Sequence, residues 1–538
     1  MTKTEDQRSK TGRFVWIAFA VIIVAVYFFG LTIPLIGPDE PRYAQIAREM
    51  FERNDPVTPT LGGFGWFEKP ALLYWLEIVS YRIFGVSEFA ARFGSALFGL
   101  GTIFCLWLLG KNIRTSDFKS ADEIRNPKSE IQNPNSWLAL IAASNIGLLS
   151  FSRGASFDII LTFPMTAALV AFFIFDRHDR KNPITYHLSL VTFYFFVGVA
   201  LLAKGLIGIV FPFGIVAFYY LLSWKWPNRT FIISLFWGTV VTLLVASAWY
   251  LPMYRTNGWK FIDEFFIQHH FQRYTSNKYQ HPQPFWFFWV VLPLMTIPWL
   301  PFFLASVWDF VRKSFHYKEP EAPKKESEAS KEDGPSESRT FYILPFSERD
   351  PLLRFALAWM LVPLLFFSAS GSKLPGYILP ALPAACVFTA EYVCRFVRKS
   401  KLRVVALQTL AFITFAVVAA LLQFVMPRIA YEDSVKGLIR TANQRGFTAE
   451  QVLNLHTVSH NAEFYAAGRL VRDADGGLKK FLGPAEIVQQ MRKSRQPQVL
   501  VLIPPEFLPQ LTESDLFETA ILDQNGELAI VLVKLKGF

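Results

Sequence analysis

The amino-acid sequence predicts a polytopic α-helical membrane protein with a small α/β domain at its C-terminal end. Three observations carry this. Charged residues make up only 18% of the 538, against 52% hydrophobic and 16% aromatic. A soluble chain carries about 25% charged residues. Eleven apolar runs are long enough, or nearly so, to cross ~30 Å of hydrocarbon. Beyond Arg428 those runs stop and a soluble pattern replaces them. A mean hydropathy of +0.28 excludes intrinsic disorder for most of the chain.

The runs fall at 14–31, 93–110, 137–151, 159–175, 186–203, 205–222, 231–250, 285–308, 355–370, 377–390 and 404–426. Several are short, so the expected number of transmembrane helices is about 11–13. Loop charge gives the orientation. Lys3, Arg8, Lys10 and Arg13 precede the first run, and basic residues follow the second, fourth, sixth, eighth and tenth. Cytoplasmic loops carry this excess of Lys and Arg, so the expected arrangement is a cytoplasmic tail at 1–13 and an extracytoplasmic C-terminus. The first run has no small-x-small cleavage site before Gly37 and reads as a permanent anchor.

The net charge of +11 is accounted for by these loops, and no folded basic domain suggests nucleic acid as a partner. Cys105, Cys386 and Cys394 lie in or at the end of apolar runs, which gives no disulfide framework. Residues 318–339, rich in Glu, Lys, Ser and Pro, read as a disordered cytoplasmic loop within the membrane domain at 14–427. In the domain at 428–538, Val435, Leu438, Ile439 and Ala442 form a helical stripe. Strand-like runs follow at 452–455 and 499–503, and Asn525-Gly526 marks a hairpin.

The outer loops carry cations that topology does not require, among them Arg42, Lys69, Lys204 and Arg255. One reading has them reach lipid headgroups or pair with acids. The other has them converge on an anionic headgroup such as a phosphate. In the first outer loop, Tyr43, Ile46, Ala47, Met50 and Phe51 fall at helical spacing, with Arg42, Gln45, Arg48, Glu49 and Glu52 opposite. That pattern predicts a helix lying in the membrane interface. Asp39 falls where an N-cap is expected, with Pro41 near the first helical position. Two adjacent carboxylates, Asp39 and Glu40, fixed between Pro38 and Pro41 also suit catalysis. After a Gly-rich turn, Glu68-Lys69-Pro70 leads into a second interfacial helix broken by Glu77 and Arg82. Asp158, at the head of a membrane helix, is costly unless it has partners.

The stretches GPDEPRYAQIAREM (from Gly37), WFEKPALLYWL (from Trp66), SRGASFD (from Ser152) and LLAKG (from Leu201) resemble bacterial integral-membrane glycosyltransferases of the GT-C class. They are most similar to the lipid A 4-amino-4-deoxy-L-arabinose transferases, relatives of the dolichyl-phosphate-mannose protein mannosyltransferases. The resemblance covers about residues 10–430. It implies a polyprenyl-phosphate-linked sugar donor, bound at the outer face of the inner membrane, and a lipid, glycan or protein acceptor. Position by position, it implies catalytic roles for Asp39 and Asp158, with Glu40 beside them. Arg42, Tyr43 and Lys69 would hold the donor phosphate, joined by Lys204, Arg255 and Arg273. Tyr377, in the loop Ser372–Tyr377 (SKLPGY), would stand near the same phosphate.

His270 falls on the family's histidine position, but His269 stands where the family often has Glu. A carboxylate and an imidazole suit zinc or manganese, so Glu68 and His270 are the candidate pair for a divalent metal ion. The alternative pairs Glu68 with a nearby cation and leaves His270 hydrogen-bonded. No Gly-x-Gly-x-x-Gly with an acidic partner is present, so no nucleotide cofactor is expected. The rival function is a multi-helix transporter or lipid flippase. It is opposed by acids that cluster in loops on one side and by the lack of a repeated half.

Overall fold

The computed structural model describes residues 3–112, 134–177, 183–272, 282–315 and 351–537. The polar loop at 318–339 and Arg273 lie outside the described residues, as do the side chains of 269–272. Each of the eleven apolar runs forms helix. Among the described residues, seven helices are long and apolar enough to cross a membrane unaided, and an eighth span is a bent pair.

The helices in chain order begin with α1 (Lys3–Phe28), which enters the first outer loop. That loop contains α2 (Asp39–Glu52), a two-residue hairpin of β1 (Thr60–Leu61) with β2 (Phe64–Gly65), and α3 (Leu72–Phe84). Tyr43, Ile46, Ala47 and Met50 are buried on one face of α2, as the spacing predicts for an interfacial helix. α4 (Glu88–Asn112) returns across the membrane.

The next run is broken into α5 (Pro134–Ser144) and α6 (Ile146–Phe151). Asn145 makes the break. Its side chain donates to Ala142 O (2.6 Å) and accepts from Leu148 N (2.8 Å), so one residue closes one helix and caps the next. α7 (Phe157–Arg177), α8 (Pro183–Lys204) and α9 (Ile207–Ser223) complete the central layer. α10 (Arg229–Ile262) bends sharply at Gly258, whose φ of +58° is strained for any residue with a Cβ. Beyond that point Phe261 and Phe265 set their rings against Trp249 at 5.4 and 5.9 Å, so the chain folds back on itself.

The run at 285–308 reads as one helix but forms two, α11 (Phe287–Met295) and α12 (Leu300–Phe315), at 119°. Pro298 and Pro301 lie at the junction and remove two backbone donors where a continuous helix would need them. The pair still crosses the bundle. At its start Gln283 O accepts from Lys373 Nζ (2.9 Å), and at its end Asp309 pairs with Arg395 (2.6 Å). Those partners bracket the segment comprising the 3-10 turn Pro375–Ala381 and α14 (Leu382–Val397), which follows α13 (Pro351–Ser368). α15 (Lys401–Ala420) leads out to the last domain. Trp224, Trp226, Trp259, Trp286 and Trp308 stand exposed on the surface, and tryptophan is enriched where a protein meets a membrane interface.

The C-terminal domain holds a five-stranded sheet in the order β4-β3-β5-β7-β6. These strands are β3 (Val452–Leu455), β4 (Lys480–Phe481), β5 (Gln498–Ile503), β6 (Phe517–Gln524) and β7 (Ala529–Leu535). β3 runs parallel to β4 and β5, and β7 is antiparallel to both neighbours. Leu438 and Ile439 cover one face, and Ile487 and Met491 the other. The expected Asn525 turn joins β6 to β7, with Asn525 N donating to Leu528 O at 2.9 Å.

Candidate active site

The site begins with the ten residues between the end of α1 and α2. Gly37 has φ +68° and open space around it, which lets the chain turn sharply into Pro38. Pro38, rather than Asp39, is the N-cap residue, and no side chain caps α2. Asp39 is therefore the first helical residue, where a negative charge suits the helix dipole. Its Oδ1 accepts from Arg42 Nη1 at 3.3 Å, and Arg42 also lies over the Trp66 ring, 5.4 Å from its centroid.

Glu40, one residue on, has a different environment. Its two oxygens accept from Arg92 Nε and Nη2, both at 2.7 Å, and from Ala155 N at 2.9 Å. Arg92 also donates to the carbonyls of Leu31, Ile33 and Pro34. Glu40 thus fastens the first outer loop to α4 and to the second outer loop. Its oxygens are engaged by the Arg92 guanidinium and by one backbone amide.

Asp158, at the head of α7, forms a close ion pair with Lys204 at the end of α8. Lys204 in turn lies 4.8 Å from the centroid of Tyr377. Gly376 packs so tightly on Asp158 that a Cβ there would fall 1.9 Å from Oδ2. Tyr43 joins this group to α2, its ring edge-on to Phe157 at 4.8 Å. Burial raises the Tyr43 hydroxyl, and the charges of Glu68 and Asp39 raise it further, so it remains a hydrogen-bond donor. Glu68 and Lys69 pair at 3.0 Å. The charges of Glu68 and Asp39 both act on Tyr43 and on Tyr74.

Asp39, Arg42, Tyr43 and Glu68 with Lys69 are thus neighbours, and Asp158, Lys204 and Tyr377 adjoin them through Phe157. Arg255 is exposed on α10 and shares no contact with this set among the described residues. Glu68 is occupied by Lys69, and among the described residues no three His, Cys, Asp or Glu side chains stand together as a metal site. His270 has its side chain, and Arg273 its whole structure, outside the described residues.

The acids divide clearly by exposure. The Asp39 side chain is 54% exposed, against 11% for Glu40, 17% for Asp158 and 12% for Glu68. Glu77 is fully buried, and neither of its oxygens has a hydrogen-bond partner among the described residues. Burial, and then the charge of Glu40, push its carboxyl well above the ordinary range, so it is carried as the neutral acid.

Sequence reasoning missed four contributors. Glu88 and Arg92, four apart at the head of a membrane helix, are the ionisable residues in lipid that ought to signal function. Tyr465 and His460 belong to the C-terminal domain. His460 lies near enough to Arg42 and Asp39 to feel both charges; burial and Arg42 hold it below the usual imidazole range.

Comparison with known proteins places this geometry. The family model for dolichyl-phosphate-mannose-protein mannosyltransferase matches residues 14–121. The undecaprenyl phosphate-alpha-4-amino-4-deoxy-L-arabinose arabinosyl transferase of Shewanella sediminis is 30% identical over 76% of this chain and 67% of its own length. Those of Proteus mirabilis and Yersinia enterocolitica are each 28% identical, over 74% and 75% of this chain and 62% and 63% of theirs. The chain thus spans about two thirds of the length of these curated relatives. ArnT from Cupriavidus metallidurans, in a crystal structure bound to undecaprenyl phosphate, shares the fold. The TM-score is 0.71 at 21% identity, over 96% of this chain and 97% of that one. Its apo structure gives 0.70 at 19% identity, over 98% of each chain. The chain belongs to the family of undecaprenyl phosphate-alpha-4-amino-4-deoxy-L-arabinose arabinosyl transferases and is a multi-pass membrane glycosyltransferase of the GT-C class.

Proposed function

We propose that the protein transfers a sugar from a polyprenyl-phosphate-linked donor to an acceptor at the outer face of the inner membrane, with a lipid A-like glycolipid, a glycan or a protein as the acceptor. The observation that carries the reading is the pairing of one half-exposed acid, Asp39, with cations that already face anionic partners, Arg42, Lys69 and Lys204. The donor brings its own leaving group. As the bond from C1 to the phosphate oxygen breaks, its electron pair goes to that oxygen, and the three cations stabilise the charge. The acceptor oxygen bonds to C1 in the same displacement, which inverts the anomeric centre. Asp39 takes the proton from an acceptor hydroxyl, or orients an acceptor that is already an anion. Asp158 keeps Lys204 in place, and Tyr377 presents its ring to the same ammonium.

The test is the fate of the donor. Purified protein given sugar-loaded polyprenyl phosphate and an envelope-lipid acceptor is expected to release free polyprenyl phosphate. Passage of intact donor across a vesicle with no release would instead indicate a flippase.

The cations give a graded prediction. Lys69→Ala and Arg42→Ala should each lower donor use ten- to a hundredfold, because a charged hydrogen bond in a partly dehydrated cleft contributes about 1.5–3 kcal/mol. Arg53, whose guanidinium donates to Glu49 O and Thr58 O at the exposed end of α2, serves as the comparison. Arg53→Ala is expected to leave the donor KM within about twofold, since exposed charges contribute about 0–1 kcal/mol. Equal losses at all three positions would move the phosphate site elsewhere. Arg48 is unsuitable as a comparison, because it reaches Phe464 O in the C-terminal domain at 3.5 Å.

The proposed orientation has a cytoplasmic N-terminus and an extracytoplasmic domain after Arg428. A phosphatase reporter fused after Phe538 should be active only if that end is exported, and a silent reporter on a well-expressed fusion reverses the active face. A zinc or manganese ion at Glu68 and His270 is a separate expectation. It requires turnover to fall in chelator and to return with the metal; full turnover in metal-free protein removes it.

A further inference from the structure

The C-terminal domain touches the residues that lead into Asp39 at one defined point. Leu35 N, fully buried, donates to the Tyr465 hydroxyl at 2.7 Å, and that hydroxyl donates to Glu88 Oε1 at 3.0 Å. The same Glu88 oxygen receives Lys436 Nζ at 2.6 Å. One hydroxyl thus both accepts and donates, which only a protonated tyrosine can do here. Burial, followed by the charge of Glu88, keeps it protonated.

On the other side of the same segment Arg92 gathers the carbonyls of Leu31, Ile33 and Pro34. The segment before α2 is therefore pinned through its carbonyls by the membrane domain and through an amide by the C-terminal domain. Only Ile36, Gly37 and Pro38 separate Leu35 from Asp39, and Gly37 makes its turn with open space around it. Ile36 N reaches Glu40 Oε2 only at a long 3.4 Å. Without the Tyr465 bond, the approach to Asp39 is held only from the side of Arg92, at Pro34 O, and by Glu40.

Further contacts show that the two parts are fitted to each other. A Cβ on Gly62 in the first outer loop would fall 1.9 Å from Arg472 Nε, and Arg472 is paired with buried Glu463. A Cβ on Gly476 would fall 2.9 Å from the Phe64 ring. The domain is seated on the hairpin of that loop and on α2.

We infer that Tyr465 is a positioning residue for the transfer reaction: the C-terminal domain, through this hydroxyl, sets where Asp39 stands relative to the donor. The inference rests on the proposed role of Asp39 and adds to it a function for a domain remote in sequence. Small displacements of a reacting group are costly even when their cause lies outside the site.

The experiment is a double-mutant cycle on the full-length protein, read by polyprenyl phosphate release. Tyr465→Phe keeps the ring and removes the hydroxyl. It is expected to lower kcat about tenfold or more with donor KM unchanged. In an Asp39→Asn background it should cost no further activity, because the acid it positions is already lost. Lys436→Ala removes a docking charge but leaves the hydroxyl bonds, and should keep kcat within about twofold. A Tyr465→Phe protein with unchanged kcat overturns the inference. So does a Tyr465→Phe loss that is fully additive with Asp39→Asn, which would mark a purely structural role. Thermal melting of Tyr465→Phe in detergent, expected to stay close to wild type, reports whether the fold survives; equal falls in melting and in kcat for Tyr465→Phe and Lys436→Ala also overturn it. If Asp39→Asn alone leaves turnover intact, the proposed mechanism fails first, and the cycle shows that separately.

Discussion

Asp39→Asn is expected to fold and insert normally and to lose at least ~10²-fold in turnover, the usual scale for removing a general base. The substitution is nearly isosteric, so packing of α2 is retained. No structural loss is expected, because Asp39 caps nothing: the N-cap residue is Pro38 and no side chain bonds the first turn. What disappears is the charge and the basicity of the one acid in the cluster whose side chain is half exposed. Glu40, Asp158 and Glu68 cannot take over, since each is largely buried against its cation, whereas Asp39 stays half exposed beside Arg42. Release of polyprenyl phosphate by purified variant and wild type, at matched amounts of folded protein, checks it. Near wild-type release would leave the mechanism without its base.

The second large effect is on stability. Arg92→Ala should lower stability by about 3–5 kcal/mol, the scale for leaving one member of a buried ion pair alone. Arg92 is 5% exposed, and its guanidinium serves both Glu40 oxygens as well as three carbonyls. Its removal strands a buried carboxylate and frees the segment entering α2. Thermal melting in detergent should show a lowered midpoint. Glu40→Gln combined with Arg92→Met should melt above Arg92→Ala, because the stranded charge is gone and part of the buried volume is refilled. An Arg92→Ala protein that melts like wild type would show that water reaches Glu40 and replaces its partner.

What the sequence conveys here depends on distance along the chain. The interfacial character of α2 is legible because Tyr43, Ile46, Ala47 and Met50 repeat with the helical period, and that period is a local property. Arg42 beside Asp39 and Lys69 beside Glu68 are legible for the same reason. The cap was misplaced by one residue because Pro38 and Asp39 both suit a helix start, and only backbone angles separate them. The break within 285–308 had a visible cause in Pro298 and Pro301, masked by the length of the apolar run. The bond between Glu40 and Arg92 joins residues 52 apart, and that between Leu35 and Tyr465 joins residues 430 apart. Nothing local announces such pairs. The one available clue was Glu88 and Arg92 inside an otherwise apolar helix.

The span of that last bond has a consequence in time. Chains emerge from the ribosome from their N-terminus at about 5–20 residues per second. Leu35 therefore waits roughly 20–90 s for the residue that completes its hydrogen bonding. During that interval α1 through α15 can be inserted and packed while the entry to Asp39 is held only from the side of Arg92. The newborn protein thus passes through a stage with its membrane part assembled and its acid still loosely placed. It matures when the last hundred or so residues have folded and been set down on the loop that carries α2. Truncation after the final membrane helix would halt it at that immature stage.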